Sequence, residues 1–274
     1  FEEFLKSRFQ SDSKLMAQML EYVLSTHGKN IRPMIVMLTS ALTSSANSRE
    51  WIAGERICTK RTYLAAMIIE MMHTASLIHD DVIDNSDLRR GRPSVNALWQ
   101  SRNAVILGDY LLARTMANGM ESAQYDIVSH IIGSMATLCE GEILQSQHQA
   151  DKDTSRNDYL EIIYKKTASL ISISSSAGAL SVLASREDQQ KMRRFGEALG
   201  MAFQIQDDIL DYNRDARTGK PANNDLREGK ITLPLIEVLE KCSEAERIQI
   251  MERLSACAED EQAVDFLQGV VEAT

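Results

Sequence analysis

Proline and aromatic residues are scarce in this sequence. Of the 274 residues, four are proline and 5% are aromatic, whereas Met, Leu, Ile and Ala are abundant. Ala, Leu and Met favour helices, whereas aromatic and β-branched residues favour strands. Strict alternation of apolar and polar residues, which is typical of half-buried strands, is also nearly absent. The composition therefore predicts an all-α fold.

The sequence lacks an excess of positive charge and any paired-cysteine motif. Its net charge of −9 makes nucleic acid a poor partner, because binding to phosphates needs a basic face. This charge could also reflect solubility alone. Four cysteines (Cys58, Cys139, Cys242 and Cys257) form no CxxC pair. Such spacing is typical of reduced thiols in a cytoplasmic protein rather than of a zinc site or a disulfide scaffold.

No hydrophobic run in the sequence is long enough to predict a membrane span. The longest uncharged run, residues 167–185, contains seven serines and is too polar to cross a bilayer. The chain begins with Phe1 instead of Met and ends at Thr274 without a helix stop, which is consistent with truncation at both ends. No linker interrupts residues 1–274, and we expect them to form a single domain.

Helical periodicity of the apolar residues runs through almost the whole chain. Each of the four prolines falls at or near a predicted helix boundary and closely follows basic residues. Basic side chains therefore gather where helices begin or end. The predicted helices are residues 14–24, 62–84, 103–120, 125–149, 157–185, 187–212, 231–241 and 244–254.

Two aspartate boxes with the same spacing, Asp80–Asp84 and Asp207–Asp211, each end an apolar helix. Carboxylates at i and i+4 share a helix face and repel each other, so a multivalent cation is expected between them. Oxygen-only ligands suit Mg²⁺. One box alone could be a solvated helix end, but two favour a metal site. The candidate metal ligands are Asp80, Asp81, Asp84, Asp207, Asp208 and Asp211.

Basic residues near the boxes form a second group. Arginine binds phosphate oxygens with two parallel hydrogen bonds, although any single basic residue could be only a solvated surface charge. Together with the boxes they indicate two polyanionic substrates bridged by metal. A GxxxxGK[ST] motif is absent, which argues against a nucleotide-binding P-loop. The basic candidates are Lys29, Arg32, Arg89, Arg90, Lys166, Lys220 and Lys230.

Two further polar residues are candidates for the same site. Gln204 shares a helix face with Asp208 and could orient a ligand, or it could be an ordinary surface amide. His73 lies two helical turns before Asp80 on an apolar helix. It could reach the same cavity, or it could be a satisfied core histidine.

In their order along the chain, these motifs resemble those of the trans-isoprenyl diphosphate synthase family, of the medium- or long-chain type. The resemblance covers roughly residues 14–240 and implies an isoprenoid-synthase-type helical bundle around a central active-site cavity. The motifs that carry it are Gly28–Pro33, Asp80–Asp84, Arg89–Pro93, Lys166-Thr167, Gln204, Asp207–Asp211 and Glu228–Pro234.

The resemblance also implies roles for individual residues. The two aspartate boxes would hold about three Mg²⁺ ions, which Mn²⁺ could replace. Catalytic roles fall on Asp80, Asp207, Lys166, Thr167 and Gln204. Isopentenyl diphosphate would be bound by Lys29, Arg32, His73 and Arg90, and the allylic diphosphate by Arg89, Lys166, Lys220 and Lys230.

Two departures from the family pattern stand out. Asn30 replaces a residue that is often basic, and Asn223–Asp225 replaces a more acidic stretch. We expect Asp225 to keep a supporting role behind the metal ligands.

The expected activity is Mg²⁺-assisted condensation of isopentenyl diphosphate with farnesyl or geranylgeranyl diphosphate. A short-chain geranylgeranyl or farnesyl diphosphate synthase, a terpene cyclase and a non-catalytic subunit of a two-part synthase are the alternatives. The Lys29/Arg32 pair argues against a cyclase, and the intact aspartate boxes argue against a non-catalytic subunit. The family also implies a homodimer, with weak membrane association at most during product release.

Small residues before the first box predict a long product, roughly C30 or longer. Ala75 and Ser76 lie about one turn before Asp80, where short-chain relatives commonly carry an aromatic residue that blocks the growing chain. Met72, Met116 and Met120 are candidates for the floor of the tunnel, or they could simply fill the core.

Overall fold

The computed structural model describes residues 1–25, 28–47, 58–89, 91–213 and 223–274, without the side chains of residues 45–47. Within these residues the first helices are α1 (Glu2–Arg8), α2 (Lys14–Ser25), α3 (Ile31–Asn47), α4 (Lys60–Ile83), α5 (Val95–Glu121) and α6 (Tyr125–Asp151). They are followed by α7 (Arg156–Ile163), the π-helical turn π1 (Tyr164–Ala168), α8 (Ser169–Ser181), α9 (Arg186–Asp211), α10 (Asn224–Arg227), α11 (Leu233–Lys241), α12 (Glu244–Ala256) and α13 (Glu261–Glu272).

The prediction of an all-α fold is confirmed. The described residues contain one small exception, a hairpin of the two-residue strands β1 (Leu88–Arg89) and β2 (Arg92–Pro93). Gly91, between the strands, has a φ of +74°, which a residue without a Cβ adopts at little cost. The hairpin follows the first aspartate box directly and fixes the position of Arg89.

Polar caps explain where several helices begin. The Thr59 side chain accepts a hydrogen bond from the backbone N–H of Thr62, and Thr62 returns one, so a capping box opens α4. Ser94 caps α5 by accepting from the N–H of Ala97, which starts this helix eight residues before the predicted boundary of 103. A kink at Gln100, with a φ of 68°, hides the early start from the periodicity.

The chain divides into two compact units. Unit 1 comprises Phe1–Met135 and Ile171–Gly196, and unit 2 comprises Ala136–Leu170 and Glu197–Thr274. The prediction of a single domain therefore stays a prediction.

The core of unit 1 is built around α4. A run of consecutive residues on this helix, Ala65–Ile69, is fully buried. A helix that is apolar on all sides has to be surrounded by other elements, and α4 packs against both α3 and α5. This burial fixes the helix whose last turn carries the first aspartate box.

The core of unit 2 joins α7 to the C-terminal helices. Tyr159 and Ile163 pack with residues of α11, α12 and α13, including Leu235 and Leu267. A buried polar pair adds to this core, because the Asn223 side-chain amide donates to Gln268 Oε1 at 2.8 Å. In turn Gln268 donates to the carbonyl oxygen of Tyr212 at 3.1 Å. The end of α9 and the start of α10 are thereby held to α13.

Candidate active site

The first aspartate box occupies the end of α4. Asp80 is half-buried, Asp81 is only 3% exposed, and Asp84 is the exposed residue at the C-terminal cap. A helix C-terminus carries partial negative charge, and no basic residue lies in the last turn of α4 to offset it. Three carboxylates here are unfavourable unless a cation binds.

Arg89 supplies part of that positive charge. Its Nε donates to Asp81 Oδ1 at 2.8 Å, and its Nη2 forms an ion pair with the same oxygen. Pairing of Arg89 with Arg92 across the hairpin presents the guanidinium of Arg89 to α4. The guanidinium of Arg92 lies over the Tyr22 ring at 4.8 Å, and the Tyr22 hydroxyl donates to the carbonyl oxygen of Pro93 at 2.7 Å. The hairpin is therefore anchored at both of its strands.

A cavity in unit 1 adjoins this box. Its apolar lining comes mainly from α1, α2 and α4. Of the polar residues predicted from the sequence, His73, Asp81 and Arg89 line it. Lys29, just before α3, is exposed, and Arg32, in the first turn of α3, is half-buried; neither of them lines this cavity. Arg90 lies outside the described residues. The motif residues that line the cavity are Gly28, Asn30, His73, Asp81 and Arg89.

The second aspartate box occupies the last turns of α9, and its three carboxylates differ in environment. Asp207 is exposed, whereas Asp208 is 5% exposed. Asp211 accepts hydrogen bonds from the backbone N–H groups of Asn224 at 3.2 Å and Asp225 at 3.0 Å, one on each oxygen. The Asp211 side chain thus caps α10 across the segment 214–222.

Each oxygen of Asp208 accepts a hydrogen bond. The Tyr159 hydroxyl donates to its Oδ2 at 2.6 Å, and the Gln204 amide donates to its Oδ1 at 2.8 Å. The Thr167 hydroxyl donates to Gln204 Oε1 at 2.7 Å. Thr167 and Gln204, both predicted from the sequence, are therefore in direct contact.

Burial and mutual repulsion raise the pKa values of two carboxyls near this box. Burial is the main reason that the pKa of Asp208 lies above its usual value, although its hydrogen bonds oppose the shift. Burial, followed by the charges of Asp211 and Asp208, raises the pKa of Asp225 to about 7. Burial also raises the pKa of Tyr159, so this phenol stays protonated at neutral pH. Such crowding of acidic groups indicates a cation site.

The segment that carries Lys166 and Thr167 is π1, where the predicted helix 157–185 divides into three elements. A π turn widens the helix locally and is frequent at functional sites. Two glycines allow neighbouring helices to approach it. A Cβ on Gly141 of α6 would lie 2.9 Å from Lys166 Cγ, and a Cβ on Gly200 of α9 would lie 2.5 Å from Ala168 Cα. Larger residues at either position would displace π1.

Unit 2 contains its own cavity. Lys166 forms an ion pair with Glu142 at 2.8 Å and donates to Gln145, and Lys230 pairs with Glu228. Lys220 lies outside the described residues. The predicted residues that line this cavity are Lys166, Thr167, Gln204, Asp208, Asp225 and Lys230.

Tyr159 and Gln145 also line this cavity, although they are not predicted from the sequence as site residues. Tyr159 has a detectable signal, because it lies seven residues before Lys166, about two helical turns away and roughly on the same face. Gln145 carries no comparable signal, since polar residues are frequent along the whole of its helix.

The residues predicted to set product length lie deep in unit 1 or at its surface. Ala75 is fully buried and Ser76 is 6% exposed, with its hydroxyl donating to the carbonyl oxygen of His73 at 2.9 Å. Met72 is buried, Met116 is half-buried, and Met120 is 51% exposed. None of the five lines the unit 1 cavity. Their role in chain length stays a prediction.

Within the described residues, no group of three or more His, Cys, Asp or Glu side chains is arranged to hold a metal ion. Mg²⁺ usually keeps several waters and binds through one or two carboxylates together with substrate phosphates. Exposed Asp84 and Asp207, each at a helix C-terminal end, fit this mode of binding. The donor set therefore suits a metal that arrives with a diphosphate.

One helix among the described residues, α6, is long and apolar enough to cross a membrane when only length and composition are considered. Core helices of soluble proteins pass the same test, and a single such helix is weak evidence. The absence of a transmembrane segment stays a prediction.

Comparisons with known proteins agree with these features. The family model described as Polyprenyl synthetase matches residues 13–271. An all-trans-nonaprenyl-diphosphate synthase (geranyl-diphosphate specific) from Rhodobacter capsulatus is 37% identical over 248 residues, which cover 90% of this chain and 72% of the relative. A short chain isoprenyl diphosphate synthase from Methanothermobacter thermautotrophicus is 34% identical over 241 residues, covering 86% of this chain and 70% of the relative.

A solved structure shows the same fold. It is a polyprenyl synthase from Caulobacter crescentus CB15, complexed with calcium and isoprenyl diphosphate, with 31% identity and a TM-score of 0.84. The match covers 99% of this chain and 79% of that one. The helical fold and the paired aspartate boxes thus define an enzyme of the prenyltransferase class. The chain belongs to the polyprenyl synthetase family, which confirms the resemblance seen in the sequence.

Proposed function

We propose that this enzyme condenses isopentenyl diphosphate with an allylic diphosphate, farnesyl or geranylgeranyl diphosphate, to give an all-trans polyprenyl diphosphate. The observation that carries the proposal is the repeated arrangement in which a helix ends in an aspartate box beside a cavity lined by basic and polar motif residues. One such arrangement lies in each unit. A reaction between two diphosphates needs this much positive charge, from side chains and from bound cations.

The unit 1 cavity is proposed to receive isopentenyl diphosphate. Lys29 and Arg32 at the start of α3, with His73 on the cavity wall, supply donors for phosphate oxygens. Arg90 belongs to this group by its sequence motif. The apolar lining from α2 and α4 suits the hydrocarbon part of the substrate.

The allylic diphosphate is proposed to bind through the aspartate boxes and the basic residues Arg89, Lys166 and Lys230, together with Lys220 by its motif. When bound, Mg²⁺ stabilises the negative charge of the leaving diphosphate. Asp80, Asp81, Asp84 and Asp207 would hold about three ions, for which Mn²⁺ could substitute. The relative from Caulobacter crescentus is complexed with calcium and isoprenyl diphosphate, which supports a divalent cation and a diphosphate as ligands of this enzyme.

This chain's own residues then protect and stabilise the reacting carbons. Thr167 and Gln204 place two oxygen atoms on the wall of the unit 2 cavity, where they stabilise an allylic cation. Apolar side chains such as Ile162 and Ile163 on the same wall keep water from quenching that cation. The lysine side chains neutralise the diphosphate as it leaves.

For the product, we propose a length of roughly C30 or more. The small side chains of Ala75 and Ser76 and the nonaprenyl relative support this length. Because a short chain isoprenyl diphosphate synthase is also 34% identical to this chain, the product length has to be measured directly. Replacing Ala75 or Ser76 with Phe should stop elongation at roughly C15–C20, because a ring would fill the path of the chain.

Assembly and location are part of the same proposal. We propose a homodimer in the cytoplasm, with weak membrane association at most when the product leaves. This part of the proposal rests on membership of the family. Sedimentation of an active enzyme as a monomer would contradict the dimer.

Consumption of isopentenyl diphosphate distinguishes this function from the alternatives. The purified protein is incubated with Mg²⁺ and farnesyl diphosphate, with and without isopentenyl diphosphate, and released diphosphate is measured. A synthase releases one diphosphate for each isopentenyl unit consumed and little without it. Release without isopentenyl diphosphate, with hydrocarbon formation, would identify a terpene cyclase. No release under either condition would identify a non-catalytic subunit.

A further inference from the structure

Three hydrogen bonds of unit 2 form a chain that ends on one buried carboxylate. Tyr159 and Gln204 donate to the two oxygens of Asp208 at 2.6 Å and 2.8 Å, and Thr167 donates to Gln204 at 2.7 Å. Asp208 is 5% exposed, so water offers little competition for these bonds. Tyr159 and Gln204 thus donate directly to Asp208, and Thr167 donates to the residue next to it in the chain of hydrogen bonds.

The carboxylate fixes which way the Gln204 amide faces. Gln204 turns its NH₂ group toward Oδ1 of Asp208, which accepts, and its carbonyl oxygen toward the hydroxyl of Thr167. The opposite orientation would place two acceptors 2.8 Å apart. Thr167 must then donate its single proton to Gln204.

This direction of the hydrogen bonds leaves unused oxygen lone pairs on the residues that line the cavity. With its proton donated to Gln204, the Thr167 oxygen can only accept, and Thr167 and Gln204 both line the unit 2 cavity. Hydrogen bonds in a chain polarise one another, which increases the negative character of these two oxygens. Such oxygens suit a developing carbocation.

We propose that Tyr159 and Asp208 are positioning residues, which act through Gln204 to aim the oxygens of Thr167 and Gln204 at the cationic carbon, and that Asp208 is not a metal ligand. The inference rests on the proposed condensation reaction. Its structural basis is the two occupied oxygens of Asp208, in contrast to the exposed carboxylate of Asp207 in the same box.

The first test separates an effect through Thr167 from a general structural effect. Tyr159→Phe removes one donor and keeps the ring, so kcat should fall about tenfold while KM for both substrates changes less than twofold. In a Thr167→Val background, which lacks the hydroxyl but keeps the oxygen of Gln204, Tyr159→Phe should lower kcat only about threefold. Equal losses in both backgrounds would overturn the proposal.

Matched variants control this test. Tyr164→Phe makes the same chemical change on the adjoining π turn, at a half-buried residue that does not bond to Asp208, and should leave kcat unchanged. Thr167→Ser keeps the hydroxyl and should restore the tenfold sensitivity to Tyr159→Phe. Loss of that sensitivity in the serine background would count against the chain. Thermal unfolding of each variant confirms that it is folded.

The second test measures metal binding without turnover. Calorimetry measures the binding of Mg²⁺, in the presence of inorganic diphosphate, to the wild type and to the variants Asp208→Asn and Asp207→Asn. Asp207→Asn should weaken binding more than tenfold, whereas Asp208→Asn should weaken it less than threefold while lowering kcat about a hundredfold. Equal weakening by both variants would make Asp208 a ligand and overturn the proposal. A wild type that binds Mg²⁺ and diphosphate but condenses nothing would refute the proposed function instead.

Discussion

Gly200 offers a sharp test of how π1 is held in place. It is buried on α9, and a Cβ at this position would lie 2.5 Å from Ala168 Cα, which is backbone and cannot rotate away. A Gly→Ala change in a helix normally stabilises it by about 1 kcal/mol, whereas overpacking costs about 1–3 kcal/mol. The net expectation for Gly200→Ala is a destabilisation of about 0–2 kcal/mol.

Gly269 on α13 is the matched control in the same unit. It is exposed, and nothing lies within 4 Å of a Cβ added there. Gly269→Ala should therefore stabilise the protein by about 1 kcal/mol, so that the two variants differ by about 1–3 kcal/mol in unfolding free energy. Chemical denaturation measures this difference directly.

The same displacement should affect catalysis. Moving Ala168 shifts the neighbouring Thr167, and a misplacement of about 1 Å at a reacting centre can lower the rate by about a hundredfold. Gly200→Ala should thus lower kcat by about tenfold or more, and Gly269→Ala should not change it. If Gly200→Ala is as stable and as active as Gly269→Ala, the close approach of α9 to π1 is wrong.

Three further predictions concern unit 1 and the thiols. Lys29→Ala or Arg32→Ala should raise KM for isopentenyl diphosphate more than KM for the allylic substrate; the reverse selectivity would interchange the two binding sites. Burial lowers the pKa of His130 below 6.5, so the unfolded chain takes up the proton first and stability falls as pH drops below 6.5. Unfolding free energies at about pH 7.5 and pH 5.5 should show a smaller loss for His130→Gln than for wild type, and equal losses would refute this assignment. Exposed Cys139 should react with thiol reagents in the folded protein, whereas Cys257, 1% exposed and with a pKa raised by burial, should react only after unfolding; equal rates would contradict the packing of α12.

Most long helices could be predicted from the sequence, because a buried helix leaves a periodic apolar pattern. Helix α4 was predicted at residues 62–84 and occupies Lys60–Ile83. Helix α3 (Ile31–Asn47) was missed, because Pro33 and several Ser and Thr residues obscure its pattern. Proline in the first turn of a helix costs little, since the N–H it lacks has no partner there.

The division of residues 157–185 into α7, π1 and α8 could not be predicted. The wide turn packs closely against Gly141 and Gly200, which are distant from it in sequence, and no local pattern marks it. The motifs predicted which residues carry the chemistry, and the structure brings Lys166, Thr167 and Gln204 to one cavity.

The sequence also could not predict that the carboxylates within one box have different environments. From the sequence, the three aspartates of Asp207–Asp211 are equally good candidates for metal ligands. In the structure, Asp211 caps α10 and Asp208 accepts from Tyr159. Those partners come from residues 13–49 positions away, and only folding brings them together.

Metal-dependent condensation is the central claim, and one reaction tests it most directly. The purified protein is incubated with isopentenyl diphosphate and farnesyl diphosphate, with either Mg²⁺ or a chelator, and the products are measured by mass spectrometry. We expect all-trans polyprenyl diphosphates of roughly C30 or longer with Mg²⁺ and no condensation in chelator. Full condensation in chelator would contradict the metal site, and products that end at roughly C20, one isopentenyl unit beyond the primer, would contradict the open path for the chain.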